Sequence, residues 1–231
     1  MNIRILYEDN HILAVVKPPD IPVQEDISGA LDLLSLLKED IKNRYQKPGN
    51  VFLGLVHRLD RPVGGVMVFA RTSKAASRLS ALIREHKMEK TYLCVVQGRP
   101  RAKAGRLSDY LLKNTQSNTV KVVKPGTPQA KEAILEYEVL QTVQDLSLVK
   151  IRLITGRSHQ IRVQMSHQGT PLVGDVKYGY QGKYRGPLAL WSHSLSIEHP
   201  TKKEGMCFTS PPPDQFPWNL FSVSANSAHD A

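Results

Sequence analysis

The chain has 231 residues, 41% of them hydrophobic, which is enough for one generous domain or two small subdomains sharing a core and argues against disorder. Thirty-one Lys and Arg against 21 Asp and Glu leave a formal charge of +10, so a phosphate polymer is the natural partner, with a solvated basic surface as the plainer reading. Cys94 and Cys207 are too few for a disulfide framework, and no apolar run near the N-terminus is long enough for a signal or a membrane span, so the expectation is a cytoplasmic protein without a membrane anchor.

In chain order, residues 3–7 and 12–16 read as a strand pair around a turn, closed by Lys17-Pro18-Pro19-Asp20. A helix is expected from Ser28, because Leu31, Leu34, Leu37, Ile41 and Tyr45 recur at helical spacing until Lys47-Pro48-Gly49. Residues 51–56 and 66–70 are β-like runs, which makes the segment from His57 to Gly65 a connection between strands, a common seat for catalytic groups. Ser73 can cap a helix that turns Ala75, Leu79 and Ile83 inward, and residues 91–96 form a strand ending at Gly98.

The stretch 99–124 carries seven basic residues and only Asp109 as an acid, and it reads as loop-rich. Two long strands follow at 133–139 and 146–154, then a turn at Thr155-Gly156-Arg157-Ser158 and a helix from His159 to about Gln168, stopped by Gly169. Apolar residues 188–191, a strand around 195–197 and the prolines at 211–213 lead to a small polar tail from Ser222 that is expected to fray. There is no internal repeat, and the order of elements predicts an α+β fold with a largely antiparallel sheet and helices beside it.

Three segments have unusual polar density: His57 to Arg61, Glu89 to Tyr92, and Thr155 to Gln164. Singly, each has a plain explanation. Asp60 can be half of a surface ion pair with Arg58 or Arg61, Tyr92 can pack on its strand, and Arg162 can point outward from its helix. A metal site from His57, His159, His193 and Asp175 lacks ligand spacing, and an Asp60 and Asp175 glycosidase pair fits poorly with the basic charge.

Together, in order and spacing, the segments resemble the RluA family of RNA pseudouridine synthases. The resemblance is carried by His57-Arg58-Leu59-Asp60, by Lys90-Thr91-Tyr92 leading to Gly98, and by Thr155-Gly156-Arg157-Ser158-His159-Gln160-Ile161-Arg162. It continues through Gly169-Thr170-Pro171-Leu172-Val173-Gly174-Asp175 to Tyr178-Gly179, with weaker agreement at Lys17-Pro18 and at 191–200 and 208–213. The match covers about residues 3–218, so the expected organisation is a catalytic domain over 1–218 and a flexible tail over 219–231, with no room ahead of Ile3 for a separate RNA-binding domain.

What the resemblance implies is isomerisation of uridine to pseudouridine in structured RNA, ribosomal or transfer. It implies a pseudouridine synthase fold: a mixed, largely antiparallel sheet with flanking helices, in two subdomains around a central active cleft. No cofactor and no metal are implied, and a monomer suffices. Asp60 matches the catalytic aspartate, Tyr92 the tyrosine that lies against the uracil, and Arg162 the arginine that pairs with the aspartate. Arg58, His57, Arg61, Lys90, Arg157, His159 and Gln160 are the expected substrate contacts, and Arg58 is placed to fill the gap left by a flipped nucleotide.

The chain departs from the family at Val63-Gly64-Gly65, where hydroxyl residues are common, and bare backbone amides at the glycines are expected to take over their role. Tyr178, Tyr180 and Tyr184 can stack on unpaired bases or pack within a loop. The alternative function is a non-catalytic RNA-binding or RNA-folding module on the same fold.

Overall fold

The computed structural model describes residues 3–26 and 29–222. In chain order the strands and helices are β1 (Arg4–Glu8), β2 (Ile12–Lys17), α1 (Leu33–Arg44), β3 (Gly54–Leu55), β4 (Gly64–Ala70), α2 (Ser73–Arg84), β5 (Glu89–Gln97), β6 (Ala104–Asn114), β7 (Thr119–Val123), β8 (Lys131–Val143), β9 (Leu146–Leu153), α3 (Gln160–His167), β10 (Leu190–Glu198) and β11 (Gly205–Thr209). This is the α+β composition that the sequence predicts. The chain forms two compact units: one takes the described residues up to Met88 together with Ser192–Ser210, the other Glu89–Trp191 and the described residues from Pro211 onward.

In the first unit β1, β2 and β4 pair antiparallel, β10 is the next strand beyond β4, and β11 pairs antiparallel with β10. One face of this sheet buries Ile12, Ala14, Val66, Val68, Leu195 and Ile197 with Ala75 and Leu79 of α2. Alternate residues Leu13, Val15, Met67 and Phe69 are fully buried on the opposite face, which is why β2 and β4 read as continuous apolar runs.

The far edge of β4 has three neighbours in turn. Gly65, at φ +116°, lies against the backbone of Ser192, where a Cβ would come within 2.2 Å of the Ser192 carbonyl oxygen. Ser192 Oγ donates to the Val66 carbonyl at 3.0 Å, the Val68 N–H donates to His57 Nε2 at 3.0 Å, and β3 pairs with Phe69 and Ala70. Gly64 and Gly65 are buried, so Gly65 answers to a close strand contact. With both glycines buried, the amides at this position are not the bare groups expected from the sequence.

Neither helix of this unit is capped at the residue where the sequence places its start. Asp32 caps α1 by accepting the Ser35 N–H at 3.0 Å, Leu31 is exposed ahead of it, and the expected start at Ser28 lies outside the described residues. Thr72, not Ser73, caps α2 through a 3.1 Å bond from the Ala75 N–H, an interaction worth about 1 kcal/mol. The β1–β2 turn is tied to the β10–β11 turn by a 2.9 Å bond between His199 Nε2 and Asp9. Burial works to raise the Asp9 pKa, but bonds from the Ile12 and His11 N–H groups, Tyr7 and His199 outweigh it and hold the carboxyl at about 2.

The second unit is an antiparallel sheet in the order β5-β9-β8-β6-β7. The basic stretch expected to be loop-rich is in fact the β6–β7 hairpin, with Lys113 and Lys121 exposed on it. Its inner face alternates Leu107, Asp109 and Leu111, and Asp109 breaks the apolar pattern because Gln164 Nε2 of α3 donates to it at 2.8 Å. Leu111, Val120 and Ala133 pack with Val163 of α3. Trp218 and Phe221 are buried and the Ser222 N–H donates to Gln141 Oε1 at 3.2 Å; the rest of the expected tail lies outside the described residues. No helix among the described residues is long and apolar enough to cross a membrane.

Candidate active site

In the first unit Leu59 is buried and anchors the segment that precedes β4, while Arg58 and Arg61 are exposed on either side of it and half-buried Asp60. The Val63 N–H donates to the Asp60 carbonyl at 2.9 Å, closing a four-residue turn that begins at Asp60. That turn is gripped from beneath by Lys17, the last residue of β2, which is 0% exposed. Its Nζ donates to the carbonyls of Pro18 at 2.9 Å, Arg61 at 2.9 Å and Val63 at 2.7 Å, using all three N–H groups of an ammonium.

Burial lowers the Lys17 pKa to about 8, against the opposing pull of Asp20 and Asp60 and with some help from Arg61. Lys17 therefore fixes the backbone on which Asp60 sits and places a positive charge near its carboxylate. Sequence reading found Lys17 only as part of a weak motif, although an isolated lysine closing an all-apolar strand was a signal of a buried cation. Arg61 Nε donates to the Asp20 carbonyl at 3.2 Å, and its guanidinium lies 4.0 Å from Asp26. His57, through its bond from the Val68 N–H, braces the entry of the turn against β4.

In the second unit Tyr92 lies on β5, 6% exposed, in a cross-strand row with Ile151 and Tyr137. Tyr137 in turn lies over Gly105, where a Cβ would come 2.9 Å from the Tyr137 ring. Lys90 is two residues before Tyr92 and on the same face of the strand. Among the described residues it makes no hydrogen bond or ion pair, burial lowers its pKa, and its Nζ lies 3.5 Å from the position of a Cβ on Gly156. A partly desolvated ammonium of this kind suits an anion or a carbonyl oxygen supplied from outside.

The turn before α3 is built around Gln160, which is 3% exposed. Its Oε1 accepts from Thr155 Oγ1 at 2.9 Å and the Arg157 N–H at 3.0 Å, and its Nε2 donates to the Ile134 carbonyl at 3.0 Å. Gln160 thus clamps the turn to β8 and does not reach outward as a substrate contact would. Arg157 is exposed, anchored by a 2.8 Å bond from Nε to the Glu132 carbonyl. His159 takes the cap position of α3 in the left-handed region, φ 52°, and its Nδ1 is 2.6 Å from the Tyr178 hydroxyl.

Arg162 is 7% exposed and forms a two-pronged pair with Asp175, itself 2% exposed: Nε to Oδ2 and NH2 to Oδ1, both 2.7 Å. The guanidinium carbon lies 4.9 Å from the centroid of the Tyr178 ring. The plain alternative of an outward, solvated arginine is thereby set aside: Arg162 is locked in a buried network, the arrangement that the planar fork of arginine favours. Asp175 and Tyr178 were legible as members of the third motif, but not as the partners of Arg162. Tyr180 is buried and the Tyr178 ring is covered by Arg162, so packing accounts for these two, whereas Tyr184 pairs with exposed Phe216 at 5.0 Å.

Known proteins give the comparison. A family model described as RNA pseudouridylate synthase matches residues 11–167. A Bacillus subtilis protein named as an uncharacterized RNA pseudouridine synthase is 36% identical over 90% of this chain and 72% of its own length. The ribosomal large subunit pseudouridine synthase D of Pseudomonas aeruginosa is 32% identical over 95% of this chain and 71% of its own length. Among solved structures, human RNA pseudouridylate synthase domain containing 4 superposes with a TM-score of 0.77 at 24% identity, covering 91% of this chain and 88% of that one.

Proposed function

From the premise that the chain belongs to the RNA pseudouridylate synthase family and is an RNA pseudouridine synthase, we propose that it isomerises one or more uridines in ribosomal or transfer RNA, with Asp60 acting at C1′ of a flipped nucleotide. The observation that carries the assignment of Asp60 is its seat: a turn held through the carbonyls of Arg61 and Val63 by a buried lysine, with the carboxylate in that lysine's field. The large-subunit ribosomal class is the one named for the Pseudomonas relative. The enzyme acts in the cytoplasm as a monomer.

The reaction breaks the N1–C1′ bond, turns the uracil while it is held, joins C5 to C1′, and moves a proton from C5 to solvent while N1 gains one. The Asp60 carboxylate serves at C1′, where the sugar carbon becomes electron-poor. Tyr92 offers an aromatic face to the detached base, and Arg162 orients the carboxylate. Lys90 and Arg157 receive the negative charge of the backbone, and Arg58 and Arg61 flank the extruded nucleotide from exposed positions. His57, His159 and Gln160 act from within the protein, holding the two segments that carry the other groups.

The test is release of tritium from RNA labelled at uridine C5. The intact protein is expected to release it, and Asp60→Asn to bind RNA yet release none; comparable release by the variant would remove Asp60 from the chemistry. Binding without release by the intact protein would favour the RNA-folding module. Separating ribosomal from transfer RNA before the assay identifies the substrate class.

A further inference from the structure

The 3-10 turn that carries Tyr178 sits between two elements of the second unit with different tasks. On one side is α3: besides the His159 and Arg162 contacts, Ser166 Oγ donates to the Tyr178 carbonyl at 2.6 Å. On the other side is β7, the outer strand of the basic hairpin. The Val120 N–H of β7 donates to the Tyr178 hydroxyl at 3.0 Å, and Lys177 Nζ donates to the Asn118 carbonyl at 2.8 Å just before that strand.

The Tyr178 hydroxyl accepts from the Val120 N–H and is hydrogen-bonded to His159 Nδ1. It is therefore a relay that joins the main chain of β7 to the first turn of α3. Arg162 is fixed by Asp175 in the plane of its fork and by the Tyr178 ring across its face. A tyrosine that served only to fill space would need no hydroxyl here; phenylalanine would keep the ring against Arg162.

We propose that Tyr178 is a positioning residue that registers the basic β6–β7 hairpin against Arg162, so that contact of the hairpin lysines with RNA phosphates sets the orientation of the guanidinium. The proposal rests on the reading that Arg162 serves the reaction. It makes the hairpin more than an electrostatic foothold: RNA bound there raises the rate of the chemical step as well as the affinity.

Single-turnover and steady-state kinetics on RNA test it. Tyr178→Phe keeps the ring over Arg162 and removes the relay, so kcat is expected to fall about tenfold while KM stays within about twofold. In the intact chain, charge reversal at exposed Lys113 and Lys121 is expected to raise KM and lower kcat together; in the Tyr178→Phe background it should raise KM with no further loss of kcat. Faster amide exchange at Val120 in Tyr178→Phe would report the lost bond independently of activity.

A wild-type kcat in Tyr178→Phe, additive losses of kcat in the combined variant, or a hairpin variant that changes KM alone would each overturn the proposal. The last measurement stands even if Tyr178→Phe folds poorly. Full activity of Arg162→Ala is a different failure: it removes the role of Arg162, and the proposal with it.

Discussion

The turn that bears Asp60 and the cluster that holds Arg162 are both rigid, but they are made rigid by opposite means. Around Asp60 the acceptors are main-chain carbonyls, gathered by one buried lysine. Around Arg162 they are side chains, a carboxylate and an aromatic ring, each specific in kind. Main-chain acceptors are present whatever residues occupy the turn, so exposed Arg58 and Arg61 can vary without moving Asp60. In the cluster every partner is an identity, and any exchange is felt directly.

The sharpest break is expected from Asp175→Asn. It takes the charge of Asp175 out of a buried ion pair, which typically costs about 3–5 kcal/mol, a melting temperature lower by roughly 10 °C and a loss of turnover. If the variant melts like the parent, the side-chain cluster is not the brittle region. Lys17→Met should do less to stability, about 2–3 kcal/mol, because it removes a desolvated charge while leaving carbonyls without a donor. Its turnover should nevertheless collapse as the turn loosens; unchanged kcat would show that Asp60 is held by something other than the lysine grip.

The smallest effect is a pH response confined to the first region. Lys17 is lowered to about 8 in the fold from a usual 10.5, so the unfolded chain binds more protons between those values, and the contribution of this group to stability rises with pH across that window. The neutral amine, however, has two N–H groups for three carbonyls. Turnover measured from pH 7 to 9 should therefore decline by a few-fold near pH 8 without a matching fall in melting temperature. A flat profile would mean that two bonds suffice to hold the turn.

The same contrast explains what the sequence made visible. The third motif could be read from its letters, because Gln160, Arg162, Asp175 and Tyr178 act through their side chains. The grip of Lys17 is addressed to carbonyls, which every residue has, and so it leaves no pattern at its targets. The core strands β2, β4, β5 and β9 were legible from apolar runs and alternation. β6 and β7 were not, because charge covers the outer face and Asp109 occupies an inner position that only Gln164 makes tolerable. The left-handed cap at His159 likewise depends on Tyr178, nineteen residues away.

The order of the chain through its two units has a consequence for biogenesis. The unit with Arg162 draws its whole sheet, β5 to β9, from one uninterrupted stretch, Glu89–Trp191. The unit with Asp60 has its first strands at the start but waits for Ser192–Ser210 to supply β10 and β11, and Gly65 of β4 meets its backbone neighbour only when Ser192 exists. During synthesis the sheet of the later-encoded unit can thus be completed first, with its residues from Pro211 onward still to join it, and the aspartate turn gains its complete scaffold only once Ser192–Ser210 have emerged from the ribosome.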